Sequence, residues 1–319
     1  MDMALLGRSG IQVSRICLGT MTFGARTDEA EAGRIYARAR EAGVNFVDTA
    51  DVYNAGRSEE ITGRLIAKER DRVILATKAA NAMGDDVNHR GLSRRWLNLA
   101  VEQSLQRLGT DYLDVLYLHK EDPLTPLDET VRALEDLVRS GKIRHFGVSN
   151  HRAWRVAQIV AHCKEANISA PVVCQPYYHA LYRVIEVELL PACAQYDIGV
   201  FCYSPLARGV LSGKYSGESV PQDSRAAVSD MRIMETEFRP ETIAAADQVV
   251  AYARQKGLSP SAFAIAFVLA NPIVTGAIAG PRTLEQFEAY LEAMDVAWGP
   301  EDEAFVSAIV PAGSTSMTR

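Results

Sequence analysis

The segment DVLYLHKEDPLTPLDETVRALEDLVRSGKIRHFGV, residues 114–148, contains the unit from which the fold is built. Short apolar runs begin and end it, at 114–119 and 144–148, and the part between them, 127–140, has apolar residues at helical spacing. Two strands that are joined through a helix normally pair in parallel, with a right-handed crossover. The segment therefore predicts one strand–helix–strand unit.

The same alternation continues outward along the chain in both directions. The other apolar runs are ICLG (16–19), NFVD (45–48), VILAT (73–77), VVCQ (172–175), GVFCY (199–203) and VTGAIA (274–279). The other helical patterns cover 28–42, 58–68, 93–108, 151–166, 185–196, 241–256, 260–270, 283–293 and 300–309. Eight strands that are apolar on both faces and alternate with helices favour a closed (β/α)8 TIM barrel over an open doubly wound sheet.

Start and stop signals support these helices. Thr125-Pro126 and Ser259-Pro260 each predict an N-cap followed by proline at the first helical position, and Thr283–Gln286 has capping-box spacing. Glycines predict helix ends at Gly43, Gly109 and Gly141.

Two segments lie outside the repeating pattern. ALLGRSGIQVS (4–14) predicts a β-hairpin that turns at Arg8-Ser9-Gly10, ahead of the barrel, where it could cap the N-terminal mouth. Residues 204–240 form one long connection, and loops of that length are usually functional or disordered. We expect this connection to contribute to substrate specificity.

Composition narrows the class of protein. The 319 residues carry a formal net charge of −6, which argues against nucleic acid or an anionic membrane as the main partner. No linker interrupts the chain, so we expect a single domain, 1–319. The N-terminus lacks a signal-peptide pattern, and the five cysteines form no C-x-x-C pair, which favours reduced, buried thiols in the cytoplasm. No histidine spacing indicates a metal site.

Polar residues follow most of the predicted strands at their carboxyl ends. They are Asp48, Lys78, His119, Ser149, Asn150, Gln175, Tyr203, Ser204, Gly280 and Arg282. Active sites of (β/α)8 enzymes are assembled at this rim of the barrel. Any one of these residues could be ordinary loop chemistry, but a lysine, a histidine and an aspartate on one rim favour an active site.

Four of the side chains offer proton chemistry. Asp48 and Lys78 end neighbouring strands and can therefore pair, and Tyr53 lies in the short loop after Asp48. A free phenol has a pKa of about 10, and a nearby ammonium group lowers it. With His119 to orient a substrate oxygen, the set predicts a tuned proton donor.

Other chemistries have weaker signals. The chain contains no G-x-S-x-G and no G-x-G-x-x-G, which disfavours an α/β-hydrolase nucleophile and an ordinary Rossmann site. Gly280-Pro281-Arg282 precede a helix whose start is marked by Thr283. A helix N-terminus beside an arginine predicts a phosphate site.

Longer motifs resemble those of the aldo-keto reductases over nearly the whole chain. They are LGTMTFG (18–24), NFVDTADVYNAGRSEEITG (45–63), ATK (76–78), SLQRLGTDYLDVLYLHKEDPLTPLDETV (104–131), GKIRHFGVSN (141–150), QPYYH (175–179), YSPLARGVLSGKY (203–215) and GPRTLEQ (280–286). The pattern is most similar to the bacterial branch with loops like those of potassium-channel β subunits. The resemblance implies a (β/α)8 barrel that binds NADPH/NADP+ and transfers hydride reversibly between nicotinamide and a carbonyl carbon.

The resemblance also implies roles for particular residues. Tyr53 would be the general acid, Lys78 would lower its pKa, Asp48 would hold Lys78, and His119 would position the carbonyl. The implied cofactor-binding residues are Gly19, Thr20, Met21, Asp48, Ser149, Asn150, Gln175, Tyr203, Ser204, Pro205, Leu206, Gly209, Lys214, Gly280, Arg282 and Gln286. Among these, Arg282 would meet the adenosine 2′-phosphate. The chain departs from the family at Ala289-Tyr290, where a Glu-Asn pair often contacts adenine.

We therefore expect a cytoplasmic NADPH-dependent reductase of small carbonyl compounds, a monomer or weak homo-oligomer that needs no metal. One alternative is a nicotinamide-binding regulatory or interaction module with little turnover, like the channel β subunits. Another is a barrel aldolase in which Lys78 forms a Schiff base.

Overall fold

The computed structural model describes residues 1–215 and 231–317, so the part of the long connection at 216–230 lies outside the described residues. The described strands are β1 (Met3–Leu5), β2 (Gln12–Ser14), β3 (Ile16–Gly19), β4 (Phe46–Asp48), β5 (Ile74–Ala79), β6 (Leu113–Leu118), β7 (Ile143–Ser149), β8 (Val173–Gln175), β9 (Gly199–Cys202) and β10 (Gly276–Ala279). Strands β3 to β10 close into a parallel barrel in which β10 pairs with both β3 and β9. The predicted (β/α)8 barrel is confirmed.

One described helix, Met231–Glu235, lies in the connection at 204–240 where no helix was predicted, and the other described helices follow the predicted segments. The described helices are α1 (Glu29–Glu41), α2 (Arg57–Ile66), α3 (Arg94–Leu108), α4 (Leu127–Arg139), α5 (Ala153–Glu165), α6 (Leu189–Gln195), α7 (Met231–Glu235), α8 (Pro240–Gln255), α9 (Pro260–Ala270), α10 (Leu284–Glu292) and α11 (Pro300–Ile309). None of the helices described in 1–215 and 231–317 has the length and apolar character needed to cross a membrane.

One predicted helix, 185–196, is divided in the structure. A single 3₁₀ turn covers Val184–Glu186, and α6 begins after Glu188, whose φ of −127° and ψ of −48° interrupt the helix. Pro191 lies in the first turn of α6. A proline is tolerated there because the first amides of a helix have no intrahelical acceptor.

The helix caps agree with the sequence at two of three predicted starts. Ser259 accepts from Ala262 N and Thr283 accepts from Gln286 N. The prediction for Thr125-Pro126 is wrong, because Pro126 itself occupies the N-cap position of α4. The Thr125 hydroxyl donates instead to Asp122 Oδ2 at 2.6 Å. The nearby carboxylate is a stronger acceptor, and it draws the hydroxyl away from the helix.

The N-terminal hairpin closes one end of the barrel, as expected. Strands β1 and β2 pair antiparallel, and the turn between them ends at Gly10 with φ of 70°, a conformation that favours glycine. Leu6 and Val13 are fully buried in the cluster that fills the barrel interior. The hairpin therefore covers the amino-terminal mouth and leaves the opposite rim for a site.

Alternation along the strands fixes which side chains enter that rim. The interior cluster contains Cys17, Phe46, Ala76, Val115, Tyr117, Val173, Phe201 and Ile278 from the barrel strands. Successive side chains of a strand point to opposite faces, so a residue two positions further on points inward again. From these core positions, a step of two residues along β4, β5 and β8 reaches Asp48, Lys78 and Gln175.

Candidate active site

The carboxyl ends of β4 and β5 bring Asp48 and Lys78 together inside the barrel. Lys78 Nζ donates to Asp48 Oδ2 at 2.5 Å and to the carbonyl oxygen of Thr49 at 2.7 Å. The side chains are 0% and 3% exposed, respectively. A buried charge pair of this kind is stable only while both partners are present, because each alone would be an uncompensated charge.

Tyr53 completes a chain of contacts with this pair. Lys78 Nζ lies 3.2 Å from Tyr53 Oη and 4.8 Å from the centre of its ring. Burial by itself lowers the pKa of Lys78, but the negative charge of Asp48 and the contact with Tyr53 outweigh it, so the pKa lies above its usual value. Lys78 is therefore an ammonium group at neutral pH, placed against the phenol.

The loop after β4 is built to hold Tyr53 in place. Asn54 and Ala55 adopt left-handed backbone conformations, with φ of 52° and 54°. Asn54 Nδ2 donates to the carbonyl oxygens of Met21 and Phe23, at 3.0 and 2.7 Å. These bonds fasten the tyrosine loop to the loop that follows β3, so the phenol position depends on two adjacent rim segments.

His119 follows β6 on the other side of the phenol. Its ring centre lies 5.9 Å from that of Tyr53, with the planes at 84°, an edge-to-face arrangement. Its carbonyl oxygen accepts from Asn150 Nδ2 at 2.8 Å. Asp48, Tyr53, Lys78 and His119 are thus brought together, as the sequence predicted.

A second group of polar side chains lies on the rim at β7, β8 and β9. Gln175 Nε2 donates to Asp48 Oδ1 at 2.9 Å, which joins this group to the lysine pair. Ser149 Oγ donates to the carbonyl oxygen of Gln175, and Tyr203 Oη donates to Asn150 Oδ1, both at 2.8 Å. Ser149 and Gln175 are buried, whereas Asn150 is exposed.

The loop after β9 has an unusual backbone. Ser204, Ala207, Arg208 and Gly209 have φ of 56°, 48°, 53° and 100°. A Cβ at Gly209 would lie 2.7 Å from Lys214 Nζ, so this glycine leaves room for the lysine. The loop also contains the predicted Pro205 and Leu206, of which Pro205 is buried.

The strands β3 and β10 contribute the remaining predicted positions. Gly19 is packed so closely that a Cβ would lie 2.6 Å from Ile278 Cγ2, and Thr20 Oγ1 donates to the carbonyl oxygen of Asp48 at 3.1 Å. Met21, the next residue, is partly buried. At Gly280 a Cβ would meet no atom within 4 Å, so the surface there is open.

The helix start after β10 differs from the capping box that its spacing predicts. Gln286 Oε1 accepts from Arg282 N at 3.0 Å, one residue before the Thr283 amide that a capping box would use. Tyr290 is buried, and its hydroxyl accepts from Gly280 N at 3.5 Å. Tyr290 thereby supports the loop that carries Arg282.

Sequence reasoning missed a buried carboxyl pair behind the phenol. Asp51 is 1% exposed and Glu59 is 0% exposed. Asp51 Oδ1 accepts from Val52 N at 2.6 Å, and Glu59 accepts from Thr77 and Arg107. Burial, followed by the charge of Glu59, raises the pKa of Asp51 to about 8. Both residues occur in motifs noted above, but their packing could not be seen there.

No cluster of three or more His, Cys, Asp or Glu side chains in residues 1–215 and 231–317 could hold a metal ion. The donors at the rim are ammonium, phenol, imidazole, amide and hydroxyl groups, the kinds of group that bind an organic ligand.

A comparison with protein families covers nearly the whole chain. The aldo/keto reductase family model matches residues 15–309. The chain belongs to the aldo/keto reductase family. Members of this family are oxidoreductases that generally use nicotinamide cofactors.

Curated relatives of this aldo/keto reductase have two kinds of name. The protein named "Uncharacterized oxidoreductase YrpG" from Bacillus subtilis (strain 168) is 36% identical over 324 residues, covering 98% of this chain and 96% of the relative. A "Probable voltage-gated potassium channel subunit beta" from Oryza sativa subsp. japonica is 36% identical over 297 residues, and one from Arabidopsis thaliana is 35% identical over 297 residues. Each of these two alignments covers 91% of this chain and 90% of the relative.

Proposed function

We propose that this chain is an NADPH-dependent oxidoreductase that reduces small aldehydes and ketones to alcohols, and that Tyr53 is its general acid. The observation that carries the proposal is the contact of Lys78 Nζ with both Asp48 Oδ2 and Tyr53 Oη. An amine used only for structure would not need to be charged, buried and directed at a phenol in the same place.

Each of the rim residues would have a separate role in the proposed reaction. The bound reduced nicotinamide supplies a hydride to the carbonyl carbon. Tyr53 Oη donates its proton to the carbonyl oxygen, and the Lys78 ammonium stabilises the phenolate that remains. Asp48 keeps Lys78 charged, and the His119 ring beside the phenol holds the carbonyl oxygen. In the reverse direction, the phenolate accepts the alcohol proton.

The other rim residues fit a dinucleotide in extended form. Gln175 and Ser149, with Asn150, offer amide and hydroxyl groups suited to the nicotinamide carboxamide. The ring of Tyr203 would stack on the nicotinamide. Lys214, whose side chain packs across Gly209, offers a positive charge suited to the pyrophosphate. Arg282 is suited to the adenosine 2′-phosphate. The remaining assigned contacts are Gly19, Thr20, Met21, Asp48, Ser204, Pro205, Leu206, Gly280 and Gln286.

The potassium-channel β relatives support a second candidate, a nicotinamide-binding regulatory module with little turnover. The complete set of Asp48, Tyr53, Lys78 and His119 favours the enzyme instead. An aldolase is disfavoured because a Schiff base needs a neutral amine, whereas the raised pKa of Lys78 keeps it protonated. We further propose that residues 1–319 act as one cytoplasmic domain, monomeric or weakly associated.

The test is NADPH oxidation in the presence of a reactive aldehyde, 4-nitrobenzaldehyde, with formation of the alcohol measured in parallel. We expect one alcohol formed for each NADPH consumed. NADPH binding without detectable turnover would support the regulatory module. Trapping of substrate carbon on Lys78 by borohydride would support the aldolase and contradict the reductase.

A further inference from the structure

The start of α10, where a phosphate site was expected, is already occupied by groups of the protein. Leu284 N donates to Glu31 Oε1 at 2.7 Å, although the two residues belong to opposite ends of the chain. Arg282 N donates to Gln286 Oε1 at 3.0 Å, and Gln286 N donates to Thr283 Oγ1 at 3.3 Å. These amides would have to give up their acceptors before they could bind a phosphate.

Glu31 is held firmly in this position. It lies in the first turn of α1, where its own amide donates to Asp28 Oδ1 at 2.8 Å. Its second carboxylate oxygen is buried and forms an ion pair with Arg34, and the side chain is 15% exposed. The neighbouring pair Arg38–Glu288, with bonds of 2.7 and 3.1 Å, joins α1 to α10 again.

The loop that carries Arg282 is also fastened to this region. Thr27 Oγ1 donates to the carbonyl oxygen of Arg282 at 3.1 Å, and Thr22 Oγ1 donates to that of Pro281 at 2.9 Å. The backbone of Arg282 is therefore held two residues before the amide that Glu31 caps. The backbone of Arg282 and the carboxylate of Glu31 therefore lie at the same start of α10.

A phosphate and the Glu31 carboxylate would compete for the same positive end of a helix. The N-terminus of a helix stabilises one nearby negative charge, and a second charge close to the first is repelled. Arg34 neutralises part of the Glu31 charge, but its own side chain is 70% exposed, so solvent screens it.

We propose that Glu31 is a specificity-determining residue that weakens the binding of a 2′-phosphate at Arg282 and so narrows the preference for NADPH over NADH. This inference rests on the proposed function, because it assumes that adenosine binds at this end of the rim. Glu31 on α1 would lower the preference for NADPH over NADH, whereas Arg282 would raise it.

The experiment measures binding without catalysis. Calorimetric titration of the full chain with 2′,5′-ADP and with ADP separates the 2′-phosphate from the rest of the adenosine moiety. Glu31→Gln keeps an oxygen for Leu284 N and removes the charge. We expect it to bind 2′,5′-ADP about five- to tenfold more tightly, with ADP affinity unchanged.

Glu29→Gln is the matched control. Glu29 lies in the same turn of α1 but bonds to Arg64 at 2.7 and 2.9 Å, away from α10. The Glu29→Gln substitution removes the same charge from the chain but at a position away from α10, so we expect less than a twofold change in the binding of 2′,5′-ADP. A second variant, Arg34→Gln, leaves Glu31 without its counterion and should weaken the binding of 2′,5′-ADP more than that of ADP.

Three results would overturn the inference: equal effects of Glu31→Gln on both ligands, weaker binding of 2′,5′-ADP by that variant, or an equal gain in Glu29→Gln. If the wild-type chain binds ADP and the variants give one of these three results, the proposed function remains intact while the role of Glu31 is contradicted. A wild-type chain that binds neither ligand would contradict both.

Discussion

The rim has two ends that differ in the surroundings of their charged groups. At one end, which we call the proton end because it carries Tyr53 and its partners, Lys78 and Asp48 are 0% and 3% exposed and lie on adjacent strands. At the other end, which we call the adenosine end after the cofactor contact proposed there, Arg282 is partly exposed and Gln286 is exposed, and both follow the last strand in a loop and a helix start. Charges interact strongly where water is absent and weakly where it is present. Single substitutions should therefore have large effects at the first end and modest effects at the second.

The largest expected effect is that of Tyr53→Phe. Removal of the phenolic oxygen eliminates the proposed proton donor, and we expect kcat for aldehyde reduction to fall by about 10³-fold or more. NADPH affinity, measured by fluorescence titration, should change little. Loss of binding with little loss of turnover per bound cofactor would contradict the role assigned to Tyr53.

Lys78→Met tests the buried pair itself. It leaves the Asp48 carboxylate without its ammonium partner, so the free energy of unfolding should fall by about 3–5 kcal/mol. Urea unfolding measures this quantity. The double variant Lys78→Met/Asp48→Asn removes the stranded charge and should recover most of the stability but none of the activity. Equal stabilities of the single and double variants would show that the unpaired Asp48 carboxylate does not account for the loss of stability.

Asp51 makes the proton end sensitive to pH. Its folded-state pKa of about 8 lies above that of an unfolded chain, because burial and the charge of Glu59 oppose ionisation. Its stabilising contribution is complete in acid, below the unfolded pKa, and is lost as pH rises toward 8. Asp51→Asn cannot ionise, so its stability relative to wild type should rise by about 1.4 kcal/mol for each pH unit between the two pKa values, reach several kcal/mol at pH 9, and be near zero at pH 4.

Urea unfolding at the two pH values checks the Asp51 prediction. The exposed Asp71, substituted by Asn, provides the control and should show no difference that depends on pH. A constant difference between Asp51→Asn and wild type across this range would mean that the pKa of the carboxyl is the same in the folded and the unfolded chain.

The smallest effect is expected at Arg282. Arg282→Ala should weaken NADPH binding about tenfold, because the proposed, partly exposed charge pair with the 2′-phosphate would be lost, and should weaken NADH binding much less. Fluorescence titration with the two cofactors gives the comparison. Equal weakening of both would show that Arg282 does not contact the 2′-phosphate.

The contrast between the two ends also explains what the sequence could predict. Strand periodicity determines which face a residue takes, so Asp48 and Lys78 could be placed on one rim from two short apolar runs. The fold followed from the same runs, since eight parallel strands with helical crossovers have few ways to close. Tyr53 could be added because its loop is short.

The adenosine end was less predictable because its contacts join distant segments. The bond from Leu284 to Glu31 spans most of the chain. The packing of Asp51 beside Glu59 likewise depends on how α2 meets the barrel. Side-chain partners chosen by tertiary packing leave no periodic signal.

The five cysteines illustrate a different consequence of the closed barrel. All are buried and without disulfides. Burial raises the pKa of the Cys17, Cys163 and Cys202 thiols, and a hydrogen bond with Cys193, followed by burial, raises that of Cys174. Alkylating reagents attack thiolates and need access to them. They can reach these sulfur atoms only after strands and helices separate, so the rate of thiol labelling becomes a direct gauge of how often the native chain opens.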